Sequence, residues 1–123
     1  MILVDTSIWI DHFRQRDEML ARQLNQGLVM VHPFVIGELA LGNLQNRQPV
    51  LDALQDLPQA TVATDREVIS FIEQNRLYGI GIGYIDAHLL ASTRLLAGAK
   101  LWTRDKRLLA AAVRLGLAEK VLH

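Results

Sequence analysis

Four carboxylates in this chain stand where acids do not help a protein fold: Asp5, Glu38, Asp86 and Asp105. Asp5 ends the apolar run Ile2-Leu3-Val4 and directly precedes Thr6 and Ser7, which suit the start of a helix. Glu38 shares a helical stripe with Phe34, Val35 and Leu41, and Asp86 shares one with Leu89, Leu90 and Thr93. Asp105 follows the apolar run Leu101-Trp102-Thr103 with one residue between. An acid on an apolar stripe is costly unless it is paired or bound to a cation. The chain has no cysteine, and His12, His32, His88 and His123 show no ligand spacing. An all-carboxylate set suits a hard cation such as Mg²⁺ or Mn²⁺, both of which prefer oxygen ligands. Such an ion polarises a phosphodiester and lowers the pKa of a bound water, so no nucleophilic side chain is needed. Clustered acids repel one another, so metal is expected to stabilise the protein. Taken singly, each acid also has a structural explanation: helix N-caps for Asp5 and Asp105, a surface position for Glu38, and pairing with Arg94 or His88 for Asp86.

The elements that must position these acids alternate between strand and helix. Ile2–Val4 reads as a buried parallel strand, followed by a helix carrying Ile8, Trp9, Ile10 and Phe13. A second helix is expected from about Asp17 to Gln26, stopped by Gly27, and a strand over Leu28–Val31. Pro33 suits the first turn of a helix that continues through Phe34, Val35, Leu39 and Leu41. Asn46–Leu57 reads as an amphipathic helix, Thr61–Ala63 as a third strand, and Thr64 as the cap of a helix over Asp65–Leu77. Gly79–Gly83 is a loop; it lacks the strand-to-helix context and the G-x-G-x-x-G spacing of a dinucleotide site. A helix over Tyr84–Ala97, a strand over Lys100–Thr103, a helix from Asp105 through Leu115 and a short edge strand in Leu117–His123 complete the pattern. This order predicts one domain over residues 1–123, a three-layer α/β/α sandwich around a parallel sheet of four or five strands. In such sheets ligand sites lie beyond the carboxyl ends of the strands, a rim that all four acids can reach.

Composition narrows the possibilities. The 123 residues are half hydrophobic, enough for a core without disulfides, and the absence of cysteine fits a reducing cytoplasm. The apolar runs are too short to span a membrane, and MILVDTS lacks the basic start of a signal peptide, so a soluble cytoplasmic protein is expected. The 13 basic and 13 acidic side chains balance, which argues mildly against a nucleic-acid binder. With the four acids set aside for metal, nine acidic side chains face 13 basic ones, leaving a mildly positive surface.

The chain resembles the PIN-domain family, and within it the VapC-type toxins of bacterial toxin–antitoxin pairs. The resemblance rests on MILVDTSIWIDHF, HPFVIGELALG, GIGYIDAHLLASTRLL and LWTRDKRL, in that order, which carry Asp5, Glu38, Asp86 and Asp105. It implies a PIN-like fold and a Mg²⁺-dependent endoribonuclease, acting on tRNA or ribosomal RNA and held inactive by a cognate antitoxin. Asp5, Asp86 and Asp105 carry over as metal ligands, and Glu38 as a ligand or as the base for the attacking water. Ser7 and Thr103 fall where the family often has hydroxyls supporting the site. The last block departs from the pattern: Lys106 and Arg107 stand where many members have a further acid and an aromatic, so one metal or two remain open. A non-catalytic PIN-like module that binds RNA or protein is the alternative. Against it, degenerate modules usually lose acids, and this chain keeps all four. A phosphatase of the haloacid-dehalogenase type needs an Asp where Ser7 stands.

Other residues have two readings. Arg104, Lys106 and Arg107 flank the proposed site and are possible contacts for RNA phosphates, or a solvated helix start. Arg14, Arg16 and Arg22 form a looser basic set, better read as solvated. Trp9 and Phe13, one turn apart, are expected in the core; the other reading is a groove for an antitoxin segment. Trp102 is expected in the core rather than as a base-stacking platform, and no histidine is assigned to catalysis. A half-apolar chain with several amphipathic helices, together with the resemblance, suggests a homodimer.

Overall fold

The computed structural model describes residues 1–120. Three parallel strands form the sheet: β1 (Ile2–Val4), β2 (Val29–Met30) and β3 (Lys100–Trp102), in the spatial order β2-β1-β3. β1 is central, with Leu3 opposite Met30 on one side and Leu101 on the other. Ile2, Leu3 and Val4 are all buried. Successive strand residues face opposite sides of a sheet, so both faces of β1 are covered. Leu3, Leu89, Leu90, Leu101 and Leu108 are fully buried in the main core. Each such side chain contributes about 1.5–3 kcal/mol by leaving water.

Among the described residues the expected four or five strands are therefore three. Two further segments touch the sheet through single parallel bridges, Val31 with Gln59 and Leu101 with Ala118. Val31 accepts from Ala60 and donates to Pro58, while Leu101 donates to Leu117 and accepts from Glu119. Each bridge thus uses the one residue whose backbone points away from β1, and pairing stops there. Pro58 has no N–H to extend the first ladder. The edge contact lies at Gln59, before the expected Thr61–Ala63 strand, which does not form. Part of the expected edge strand at Leu117–His123, residues 121–123, lies outside the described residues.

The helices are α1 (Thr6–Arg14), α2 (Glu18–Asn25), α3 (Pro33–Ala40), α4 (Arg47–Asp56), α5 (Asp65–Asn75), α6 (Tyr84–Leu95) and α7 (Lys106–Arg114). Several begin at side-chain caps legible in the sequence. Asp17 accepts from Leu20 N–H at the start of α2, and Thr64 forms a capping box with Glu67 at α5. At α3 the cap is His32, whose Nδ1 accepts from Phe34 N–H at 3.0 Å, with Pro33 following. The Arg47 guanidinium closes the other end of α3 by donating to the carbonyls of Ala40 and Gly42. Leu41, expected on the apolar stripe of α3, is 90% exposed because the helix ends at Ala40 and the chain turns away. α3 packs against α1 and α4, α5 against α6, and α6 against β3. Among the described residues no helix is long and apolar enough to cross a membrane.

Candidate active site

β1 and β3 end side by side, and the residues after them build one corner of the site. Asp5 follows β1 directly and is 7% exposed. Its N–H donates to the Trp102 carbonyl, which ties the two strand ends together. The Asp5 carboxylate receives three donors: Thr6 N–H on Oδ1 at 2.7 Å, and the hydroxyls of Ser7 at 3.0 Å and Thr103 at 2.7 Å on Oδ2. A buried carboxylate is tolerated when it is hydrogen-bonded in this way. The two hydroxyls also accept, Ser7 Oγ from Arg104 N–H and Thr103 Oγ1 from Asp105 N–H. Ser7 and Thr103 thereby hold Asp5 and the loop leading to Asp105 in one network.

The other three acids come from helix starts or turns on the same rim. Asp105 caps α7, its Oδ1 accepting from Arg107 and Leu108 N–H at 3.0 Å each. Asp86 occupies the first turn of α6 and reaches back to accept from Gly83 N–H at 3.1 Å. It pairs with neither Arg94 nor His88. Glu38, exposed on α3, accepts from the Thr6 hydroxyl at 2.8 Å. That contact joins residues 32 positions apart, and periodicity gives no sign of it; Thr6 reads in the sequence only as a cap. Burial raises the pKa of Asp86 against the lowering effect of the Gly83 hydrogen bond. The negative charges of Asp5, Asp105 and Glu38 raise it further, so all four acids share one electrostatic neighbourhood.

Among the described residues no group of three or more acidic or histidine side chains is gathered closely enough to hold an ion as it stands. Each carboxylate is hydrogen-bonded to a cap N–H or a hydroxyl. The donor chemistry still fits a hard divalent cation. Every group is an oxygen, and Glu38 Oε2, Asp86 Oδ1 and Asp105 Oδ2 have no protein donor among the described residues.

The basic residues at the rim divide. Arg104 is turned away from the acids and forms ion pairs with Asp11 at 2.5 Å and Asp17 at 2.7 Å. Partial burial lowers its pKa, but its hydrogen bonds and charge pairing with the two aspartates outweigh that and raise it. Arg104, one of the three possible phosphate contacts, is thus already paired within the protein. Lys106 and Arg107 stay exposed in the first turn of α7. Trp9 and Trp102 are buried, as expected, whereas Phe13 is 38% exposed. With Ile10, Leu39 and Val50 it lines a cleft of about 720 Å³ that opens beside Glu38. His32 and His88 form an edge-to-face aromatic cluster with Phe34 and Tyr84. Burial, and then the neighbouring His88, lower the His32 pKa to about 4. Of the remaining histidines, His12 Nδ1 accepts from Asp17 N–H, and His123 lies outside the described residues.

Residues 2–114 match the family model described as PIN domain. Ribonuclease VapC32 from two strains of Mycobacterium tuberculosis is 50% identical over 118 residues, covering 96% of this chain and 95% of the relative. The fold is similar to that of PAE2754 from Pyrobaculum aerophilum, with a TM-score of 0.65 at 18% identity over 96% of this chain and 87% of that one. It is also similar to FitAcB from Neisseria gonorrhoeae, with a TM-score of 0.57 at 21% identity over 92% and 94% of the two chains. At those identities the solved structures bear on the fold alone. The family match spans both strand ends and all four acids, and the chain belongs to the PIN-domain family, in its VapC branch.

Proposed function

We propose that this protein is a divalent-metal-dependent endoribonuclease that cleaves RNA phosphodiester bonds with activated water and acts as the toxin of a toxin–antitoxin pair. The observation that carries the reading is the convergence of four carboxylates from separate chain segments, with the charges of three of them bearing on Asp86. Kinship with ribonuclease VapC32 supports RNA as the substrate, and the resemblance to VapC-type toxins adds the tRNA or ribosomal class.

Asp5, Glu38, Asp86 and Asp105 would hold Mg²⁺, or Mn²⁺ in its place. When bound, the cation supplies positive charge to the scissile phosphate and lowers the pKa of adjacent water. The rest of the chemistry belongs to the chain. Ser7 and Thr103 fix the direction of Asp5. Thr6 holds Glu38 through one oxygen and leaves the other as a ligand for the ion or, instead, as the base for the attacking water. Asp86 and Asp105 each keep one undonated oxygen for the ion.

The cleft beside Glu38 supports an antitoxin segment as partner, since an apolar stretch seated on Ile10, Phe13, Leu39 and Val50 would cover the acid rim. Exposed Leu109 and Val113 on α7 leave apolar surface for a homodimer. The setting is the cytoplasm.

Sequencing of RNA ends after brief expression, for the parent and for Asp86→Asn, tests the reading. Discrete new ends that need Asp86 are expected. Equal cutting by the variant, or no cutting by the parent with Mg²⁺ or Mn²⁺, would sink it and leave the non-catalytic module.

A further inference from the structure

Two arginines flank Asp105, and their surroundings are opposite. Arg104 has both terminal guanidinium nitrogens on protein carboxylates, Asp11 of α1 and Asp17 at the start of α2. Its backbone N–H donates to Ser7 Oγ, the hydroxyl that holds Asp5. Arg104 therefore binds the β3–α7 loop to two helices and keeps that hydroxyl in place.

The Arg107 guanidinium has no hydrogen bond or ion pair among the described residues. Its side chain lies across Gly81. A methyl group on Gly81 would stand 2.5 Å from Arg107 Nη1, 2.9 Å from Cδ and 3.0 Å from Cζ. Gly81 also has φ +84°, a conformation that strains any residue with a Cβ. The seat joins the two halves of the rim. Gly81 lies two residues before Gly83, whose N–H holds Asp86, and the Arg107 N–H itself donates to Asp105. An exposed planar cation with no partner among the described residues thus lies over the loop that leads to Asp86, on the helix that Asp105 caps. Its donor fork matches the oxygens of a phosphate.

We propose that Arg107, seated on Gly81, takes the RNA phosphate beside the scissile bond, and that Arg104 takes none and positions Ser7 and Asp5. The proposal rests on the reading of the acid rim as a ribonuclease site.

The test is cleavage of a fluorogenic single-stranded oligoribonucleotide with Mg²⁺ across a range of KCl. Binding of a labelled copy of the same oligoribonucleotide to the Asp86→Asn protein is titrated in parallel. Arg107→Gln is expected to raise KM about tenfold and to make the log–log salt dependence shallower by about 0.7, the value of one phosphate contact on a single strand. Its melting temperature stays at the parent value. Arg104→Gln and Asp11→Asn lower kcat and the melting temperature with the salt slope intact, and Arg104→Lys restores part of kcat.

A parental salt slope in Arg107→Gln overturns the proposal. A shallower slope in Arg104→Gln, or tighter RNA binding in Asp11→Asn, overturns it too, since either marks Arg104 as a phosphate contact. Parental cutting by Asp86→Asn defeats the reading of the rim itself. Loss of cutting there, with an unaltered slope in Arg107→Gln, defeats this inference alone.

Discussion

Asp5 and Asp86 face the same rim, yet the fold treats them differently. Asp5 is buried and receives three donors, two of them hydroxyls that have further partners of their own. Asp86 is half-buried with one backbone donor, and burial and the charges of its neighbours work against its ionised form. The Asp5 corner is integral to the structure: strand ends, α1 and the β3–α7 loop all meet there. The Asp86 corner keeps a carboxylate that the metal-free fold would hold more easily as a neutral group. In the proposed function Asp5 serves architecture and chemistry together, whereas Asp86 owes the fold one capping contact at Gly83.

Substitution breaks this comparison most sharply. Asp5→Asn and Asp86→Asn are each expected to cut RNA cleavage about a hundredfold or more, measured as kcat/KM on an oligoribonucleotide. Their stabilities diverge. Asp5→Asn places an amide NH₂ or a single carbonyl before several donors and costs about 1–3 kcal/mol in urea unfolding. Asp86→Asn keeps an acceptor for Gly83 and relieves repulsion, so its metal-free melting temperature should rise slightly. Equal destabilisation of the two would erase the distinction.

Acid adds a second contrast. His32 is lowered from 6.5 to about 4, so between those values the unfolded chain takes up a proton that the folded chain refuses. Stability should fall across that window as pH drops, by at most about 3 kcal/mol. The raised Asp86 acts in the opposite sense, since its protonation favours the folded state. His32→Asn keeps a side-chain acceptor for the cap of α3 and should flatten the pH dependence of urea unfolding. An unchanged slope would place the acid sensitivity elsewhere.

Smaller effects refine the picture. Thr103→Val removes one hydroxyl from Asp5 and should cost about 1 kcal/mol. Millimolar Mg²⁺ or Mn²⁺ should raise the parent's melting temperature by a few degrees and that of Asp86→Asn by less. No shift in the parent would argue that the acids do not share an ion.

Much of this site was legible because strand ends and helix caps leave local marks. An apolar triplet followed by Asp-Thr-Ser announces both β1 and the turn that carries Asp5. The resemblance to the PIN family added the order of the blocks, which residue spacing alone does not supply. What stayed hidden depends on contacts distant in sequence. The pairing of Arg104 with Asp11 and Asp17 spans 93 and 87 positions, and nothing near Arg104 distinguishes it from Arg107. Gly81 reads as one glycine of a loop until Arg107 is seen lying over it. The sheet edges were overread for a simpler reason: one residue of pairing at Gln59 or Ala118 leaves no periodicity to detect. Leu41 misled because an apolar stripe runs on in the sequence past the point where the helix stops.

The Thr103–Asp5 hydrogen bond joins residues 98 positions apart, and β1 lies between a strand that follows it early and one that arrives near the end. Synthesis delivers these parts at very different times. A nascent chain that has exposed β1, β2 and three acids still lacks β3, Thr103 and Asp105, and Asp5 has no finished pocket. The rim closes only when about the last fifth of the chain has left the ribosome, as expected for a site built on long-range parallel pairing. A fragment that ends before β3 lacks Thr103 and Asp105, and with them one corner of the rim.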